Sequence, residues 1–156
     1  MTASPGPTGP TAAQRQQLDG HAAAELTFDL DAVMATVDAD CEYEWQPQGL
    51  GLRGLDECRR MYAAFLPRWQ ELEQTRDLRF EVRTEFWNDE ARIREQVAYV
   101  RPEDGQDDGR VERHDFVVVV LWGEHGVRGE RTYASEGFHR LVLGDEYFDS
   151  LAPIGR

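Results

Sequence analysis

Three glycines near the middle of the chain have a spacing that is typical of dinucleotide-binding proteins. Gly49, Gly51 and Gly54 form the pattern G-x-G-x-x-G within the stretch QGLGLRG. In a dinucleotide site, a buried parallel strand leads directly into the first glycine, and a crossover helix and a second parallel strand follow. Here the preceding strand pattern carries Glu42 and Glu44, and hairpins follow the next helix. We therefore interpret the glycines as a turn and predict no dinucleotide cofactor.

A second spacing that could do chemistry is a histidine and a glutamate one helical turn apart. His21 and Glu25 share one face of a helix predicted over about residues 11–26. A histidine accepts or donates a proton near neutral pH, and a neighbouring carboxylate raises its basicity. The same spacing is also typical of an exposed pair that only stabilises its helix. The sequence leaves both interpretations open.

Composition excludes several classes of function. The chain of 156 residues has 30 acidic and 17 basic residues, a net charge of -13. Such a surface repels phosphate groups, so we predict neither nucleic-acid nor membrane partners. All basic residues other than histidine are arginines, which excludes Schiff-base chemistry on lysine. Cys41 and Cys58 lack metal-ligand spacing and are expected to be free thiols in a cytoplasmic protein.

The chain is long enough for one domain with a short extension. Residues 1–14 are rich in proline, glycine, serine and threonine and have no apolar stretch of the kind found in secretory signals. We predict a disordered tail over 1–14 and one domain over 15–156.

Predicted helices come first in this domain and predicted strands follow. From about residue 77 onward, apolar and polar residues alternate through several strands joined by short turns. Helices before a meander of strands favour an α+β architecture with an antiparallel sheet. Over residues 136–150 the pattern is compatible with a helix capped by Ser135 or with a further strand.

This organisation resembles the nuclear transport factor two-like (NTF2-like) superfamily, and within it the SnoaL-like polyketide cyclase and ketosteroid isomerase-like group. The resemblance is carried by three stretches, HAAAELTFDLDAVMATVDADCEYEWQPQG, RGLDECRRMYAAF and FVVVVLWGEHGVRGERTYAS. It implies a cone-shaped fold in which a curved antiparallel sheet wraps a long helix around a central apolar pocket. The match departs from ketosteroid isomerases at their catalytic aspartate, where this chain has Trp45 or Gln46. Their two oxyanion-hole residues fall near His21 and His114.

The resemblance also implies which side chains face the pocket. We expect four catalytic candidates, His114, His21, Glu95 and Glu130. Further pocket residues are expected to be Glu25, Tyr43, Trp45, Tyr62, Val97, Tyr99, Phe116 and Thr132. The same residues permit structural roles, with Glu95 paired to Arg113 or Arg131 and Glu130 held by backbone or by an arginine. His125 and His139 are interpreted as surface residues, and Arg92, Arg94 and Arg131 are placed outside the pocket.

Three functions remain open at this stage. The first is a cofactor-independent acid/base enzyme of isomerase, dehydratase or cyclase type, acting on a small hydrophobic metabolite, with His114 as the principal acid or base. The second is a non-catalytic module that binds a small molecule or dimerises. The third is an epoxide hydrolase. We predict no metal, because the histidines and glutamates show no local ligand spacing. A homodimer is expected through the apolar stripe of Val117, Val119 and Leu121.

Overall fold

The computed structural model describes residues 9–103 and 109–155. It forms a mixed α+β fold whose curved sheet is not closed. The helices are α1 (Ala12–Glu25), α2 (Leu30–Met34), α3 (Leu55–Arg76), α4 (Glu136–Leu143) and α5 (Asp145–Ser150). The strands are β1 (Val37–Gln46), β2 (Leu50–Arg53), β3 (Arg79–Trp87), β4 (Ala91–Val100), β5 (Glu112–Trp122), β6 (Val127–Tyr133) and β7 (Ala152–Pro153).

Side-chain caps fix where three of the helices begin. Thr11 and Gln14 form a reciprocal capping box at the start of α1. The Asp29 carboxylate accepts hydrogen bonds from two backbone N–H groups of α2, and the Ser135 hydroxyl accepts one from Phe138 in α4. The segment after Ser135 is therefore helical, which decides between the two alternatives left open by the sequence. Helix α1 begins inside the segment predicted as a tail, whose residues 1–8 lie outside the described part of the chain.

The sheet has the strand order β3-β4-β5-β6-β1-β2-β7. Neighbouring strands are antiparallel except β1 and β6, which are parallel. The predicted antiparallel meander is thus confirmed for β3 to β6. Strand β1 pairs with β6, the last strand of that meander. This pairing places Tyr43 of β1 directly opposite Glu130 of β6.

A glycine makes the close approach of these two parallel strands possible. Gly129 has a φ of 140°, a conformation that residues with a side chain rarely adopt, and its position faces the backbone of Glu42. A Cβ atom at this position would lie 1.7 Å from the Glu42 carbonyl oxygen. Because Glu130 is the next residue, Gly129 also sets the position of that carboxyl group.

The core lies between the concave face of the sheet and α3. Buried residues of α3, among them Cys58, Met61 and Leu66, pack against strand residues such as Cys41 and Trp45. Both cysteines are buried and free. Among the described helices, none is long and apolar enough to cross a membrane.

Candidate functional site

A cavity of about 280 Å³ opens between the sheet and the helices α1, α3 and α4. Its walls are largely aromatic and aliphatic, but a set of polar residues also borders it. They are Glu25, Tyr43, Glu44, Tyr62, Arg92, Arg94, Gln96, Glu130, Thr132 and His139. An apolar cavity with a few convergent polar groups is the usual form of a small-molecule site.

One row of paired residues across the sheet brings several of these groups together. Arg92 of β4 pairs with Val120 of β5, Val120 pairs with Glu130 of β6, and Glu130 pairs with Tyr43 of β1. Since paired residues of adjacent strands point to the same face, this row places a cation, a carboxyl group and a phenol on the cavity side.

The hydroxyl group of Tyr62 is the centre of a buried hydrogen-bond network. It lies 3.0 Å from His21 Nε2, 3.1 Å from Glu25 Oε1 and 3.2 Å from the Tyr43 hydroxyl. A phenol has one proton to donate and can accept two hydrogen bonds. When Tyr62 donates to Glu25, it accepts from both His21 and Tyr43, so all its hydrogen-bonding capacity is used.

The other ring nitrogen of His21 determines how the network is protonated. His21 Nδ1 lies 2.7 Å from the Thr36 hydroxyl, which itself donates to the Val33 carbonyl oxygen at 2.6 Å. The Thr36 oxygen must therefore accept its bond from His21, so Nδ1 carries a proton. With Tyr62 donating to Glu25, Nε2 carries a proton as well, and His21 is an imidazolium ion.

Electrostatics favour the same protonation state. Burial lowers the pKa of His21, but the hydrogen bond and charge of Glu25, together with the charge of Glu130, raise it by more. The net result is a pKa above the ordinary value of 6.5. Burial also raises the pKa of Tyr43 and of Tyr62 well above 10, so both phenols keep their protons.

Glu130 is the acidic group of the cavity whose protonation is most strongly perturbed. Burial and, less strongly, the charge of Glu25 raise the pKa of Glu130, the charges of His21 and Arg92 lower it, and the resulting pKa is about 7. Within the described residues, no hydrogen bond stabilises its carboxylate form. Near neutral pH this carboxyl group therefore exists in both protonation states, as a general acid or base requires.

The same groups have the ligand atoms for a metal ion. One ring nitrogen of His21 and one carboxylate oxygen each of Glu25 and Glu130 lie within 4.8 Å of one another. However, His21 Nε2 and Glu25 Oε1 already hydrogen-bond to Tyr62, and the guanidinium group of Arg92 lies on the same wall. The geometry is thus explained by hydrogen bonding and proton transfer, and we assign no metal.

Comparison with solved structures identifies the architecture. An NTF2-like protein of unknown function from Cytophaga hutchinsonii is 11% identical, covers 78% of this chain and 99% of its own, and superposes with a TM-score of 0.58. A protein from Jannaschia sp. CCS1 described as a SnoaL-like polyketide cyclase is 10% identical, covers 93% and 98%, and has a TM-score of 0.57. The epoxide hydrolase/cyclase-like enzyme SalBIII, which acts in pyran ring formation in the polyether salinomycin, is 11% identical, covers 80% and 92%, and has a TM-score of 0.57.

The chain has the NTF2-like fold. This confirms the fold expected from the sequence resemblance. No protein-family model and no curated protein sequence matches the chain. The structural neighbours include cyclase and hydrolase/cyclase-like proteins, and at this identity they establish the fold and leave the reaction open.

Most of the side chains expected at the pocket do line the NTF2-like cavity. These are Glu25, Tyr43, Trp45, Tyr62, Phe116, Glu130 and Thr132. His21 is 1% exposed and lies behind the wall that Glu25 and Tyr62 form. The structure thus brings His21 and Glu130 together, because a ring nitrogen of His21 and a carboxylate oxygen of Glu130 lie within 4.8 Å of each other.

The predicted orientation of β4 is wrong. Arg92, Arg94 and Gln96 face the cavity, so Glu95, Val97 and Tyr99 lie on the opposite face. The side chain of Glu95 is 50% exposed and lies 3.9 Å from Arg83, and not beside Arg113 or Arg131. The hydroxyl of Tyr99 donates to Glu81 on the neighbouring strand.

The sequence pattern misleads here because both faces of β4 carry apolar residues. Ile93 and Val97 lie on one face, while Ala98 and Val100 lie on the other. The expectation that apolar residues face inward fails where the inner face borders a polar part of a cavity.

The principal role expected for His114 is also not supported. His114 lies on the same face of β5 as Phe116, but it does not line the cavity. Its ring packs 5.3 Å from Phe138, and its Nε2 lies 3.7 Å from Glu112. Phe138 of α4 packs against both His114 and Phe116, which leaves the histidine beyond the end of the cavity.

His139 is buried, which corrects its assignment to the surface. It is 0% exposed, contacts the cavity, and its Nδ1 lies 3.0 Å from Gln48 Oε1. Burial lowers its pKa to about 4, so it stays neutral at physiological pH. Arg131 does lie outside as expected, 3.6 Å from Glu44.

Proposed function

We propose that the protein is a cofactor-independent acid/base enzyme that acts on a small hydrophobic molecule, with Glu130 as the group that transfers the proton. The observation that carries this proposal is the environment of the Glu130 carboxyl group, which borders an apolar cavity. Among the described residues, no hydrogen bond stabilises its carboxylate form, and its pKa is about 7. A group with these properties is available as a base and as an acid in the same turnover.

In the proposed reaction, ionised Glu130 removes a proton from a carbon or hydroxyl group of the bound molecule. The same carboxyl group then returns the proton to another atom, which gives an isomerisation, or to a leaving hydroxyl group, which gives a dehydration. Because the proton is returned within the cavity, the sequence of steps needs no redox partner.

Negative charge that develops on the substrate oxygen requires stabilisation. Tyr43 and Tyr62 keep their protons because burial raises the pKa of each, and both residues line the cavity. The imidazolium form of His21 hydrogen-bonds to the Tyr62 oxygen and adds positive charge behind it. In the free protein each phenol already donates its proton, Tyr43 to Tyr62 and Tyr62 to Glu25. A substrate oxyanion would therefore be stabilised when Tyr43 turns its proton from Tyr62 to the substrate oxygen.

The proposal can be tested without the natural substrate. In 5-nitrobenzisoxazole a base removes one ring proton, the N–O bond breaks, and a coloured cyanophenolate forms. We expect the wild-type protein to accelerate this reaction, with a rate that rises with pH through about 7. Glu130→Gln should lower the rate by about 100-fold, the usual contribution of a positioned base.

Glu95→Gln is the matched control, since it removes an equal charge on the opposite face of β4. Its rate should equal that of the wild type. If wild type and Glu130→Gln react equally, Glu130 is not the base. If the probe binds to the wild type without reacting, the non-catalytic binding module becomes the better proposal.

Epoxide hydrolysis is a second candidate that a specific observation favours. Arg92 borders the cavity together with Glu25 and Glu130, so two carboxyl groups and an arginine could surround one water molecule. One carboxylate would take a proton from the attacking water, and a protonated carboxyl group would donate to the departing oxygen. Formation of the diol from styrene oxide, with loss of activity in Arg92→Met, would favour this reaction.

We also propose a homodimer formed through the outer face of the sheet. The stripe of Val117, Val119 and Leu121 is only partly buried there. The same face leaves Phe86 64% exposed and Tyr133 45% exposed. A cytoplasmic location stays a prediction.

A further inference from the structure

Arg92 is a largely buried cation on the cavity wall. It is 8% exposed, it lines the cavity, and its Nε has no hydrogen-bond partner. Among the residues that the structure describes, it forms no ion pair; its guanidinium carbon lies 5.9 Å from the centre of the Trp87 ring. A buried charge is costly unless it is paired, so this position favours an anion from outside the chain.

The carboxyl groups of the cavity do not supply that anion. Glu25 accepts a hydrogen bond from Tyr62 and lies 3.5 Å from His21, so its charge is already balanced. In the described part of the chain, Glu130 forms no ion pair with Arg92, although the charge of each affects the pKa of the other.

The neighbouring arginine provides an internal comparison. Arg94 also lines the cavity, but its guanidinium group is paired with Glu85 and its side chain is 30% exposed. Both arginines therefore reach the same wall, and of the two it is Arg92 that lacks an ion-pair partner in the described part of the chain.

The rest of the cavity is suited to a flat apolar body. Its walls include the aromatic side chains of Trp45, Phe65, Trp69, Phe80, Phe116 and Phe138. Its volume of about 280 Å³ is at the small end of the range for ligand sites. A ligand that fills it can present one charged group to Arg92 while its rings contact these walls.

We propose that the substrate is a small aromatic or alicyclic carboxylate whose carboxylate group is bound by Arg92. This inference rests on the proposed function, in that it names the substrate class for the same cavity. Arg92 is then a specificity-determining residue, which holds the substrate carboxylate while Glu130, two strands away in the same row of the sheet, acts on another atom of the substrate. The planar guanidinium group can donate two parallel hydrogen bonds to a carboxylate.

The test compares two probes of equal shape, 2-naphthoate and its neutral amide 2-naphthamide, by calorimetric titration. We expect the wild type to bind the carboxylate at least about 10-fold more tightly than the amide, the size expected for a charge-assisted hydrogen bond. Arg92→Met should abolish this preference, and Arg92→Lys should retain part of it. Arg131→Met, at an exposed position outside the cavity, should keep it in full.

For each variant, the measured quantity is the ratio of its affinities for the two probes. A modest loss of stability lowers both affinities alike and leaves this ratio unchanged. Equal affinities for the two probes in the wild type, or a preference that survives in Arg92→Met, would overturn the inference. So would a wild type that binds neither probe. The benzisoxazole probe is neutral and has no carboxylate, and its reaction is compared between the wild type and Glu130→Gln, so it distinguishes failure of this inference from failure of the proposed function.

Discussion

Replacing Glu130 by glutamine should make the protein more stable at alkaline pH. Burial and the charge of Glu25 raise the pKa of Glu130 from its ordinary value of 4.5 to about 7. Between these two pH values the folded protein keeps a proton that the unfolded chain has lost. The free energy of unfolding therefore falls as the pH rises through this window, and the loss is complete above the pKa of the folded state.

The size of the effect follows from the two pKa values. At about 1.4 kcal/mol for each pH unit that separates them, ionised Glu130 destabilises the fold by up to roughly 3 kcal/mol. Because the carboxyl group borders a cavity that solvent can enter, we expect a smaller value of roughly 1 to 3 kcal/mol. Glu130→Gln should thus exceed the wild type in stability by this amount at about pH 8 and match it near pH 4.5.

Urea unfolding, followed by tryptophan fluorescence at several pH values, measures this difference. Glu95→Gln serves as the control, because it removes a charge that is half exposed. The reasoning is refuted if the difference between Glu130→Gln and the wild type does not change between pH 4.5 and 8. A destabilised carboxylate is the cost of placing a base in an apolar cavity, as in other sites where function opposes stability.

Three further predictions concern the network, the sheet and the outer face. Tyr62→Phe removes the hydroxyl that joins His21 to its neighbours and should destabilise the protein by about 1 to 3 kcal/mol; an unchanged urea midpoint would contradict the network. Gly129→Ala places a Cβ against the Glu42 carbonyl oxygen and should cost several kcal/mol; thermal unfolding at the wild-type temperature would show that the strands are farther apart. Val119→Glu should convert the proposed dimer to a monomer in light scattering, and a wild type that is already monomeric would disprove the dimer.

The succession of elements could be predicted from the sequence because each has a strong local signal. The helix that carries His21 and Glu25, and the strands of the meander, follow from hydrophobic periodicity. Asp29 and Ser135 cap helices as their residue types predict. The pairing of β1 with β6 depends on contacts far apart in the sequence and could not be derived from such signals.

The site itself was only partly predictable. Glu130 was expected to face inward from the resemblance, and its side chain does reach the cavity. Arg92 was placed outside, because an arginine between apolar residues is normally assigned to the solvent face of a strand. His139 was assigned to the surface, although it lies on the buried face of α4 beside Phe138 and Val142. Hydrophobic periodicity cannot distinguish a polar residue that lines a cavity from a polar residue that is exposed to solvent.

A pH titration of the Glu130 carboxyl carbon by NMR would measure directly whether this group changes its protonation state near neutral pH. Protein labelled with carbon-13 at the side-chain carboxyl of glutamate would be titrated, and the resonance absent from Glu130→Gln assigns the signal. The account predicts a midpoint at about 7 for this one carboxyl group. A midpoint near the ordinary glutamate value of 4.5 would mean that Glu130 is a plain carboxylate at neutral pH, and the proposed acid/base role would be wrong.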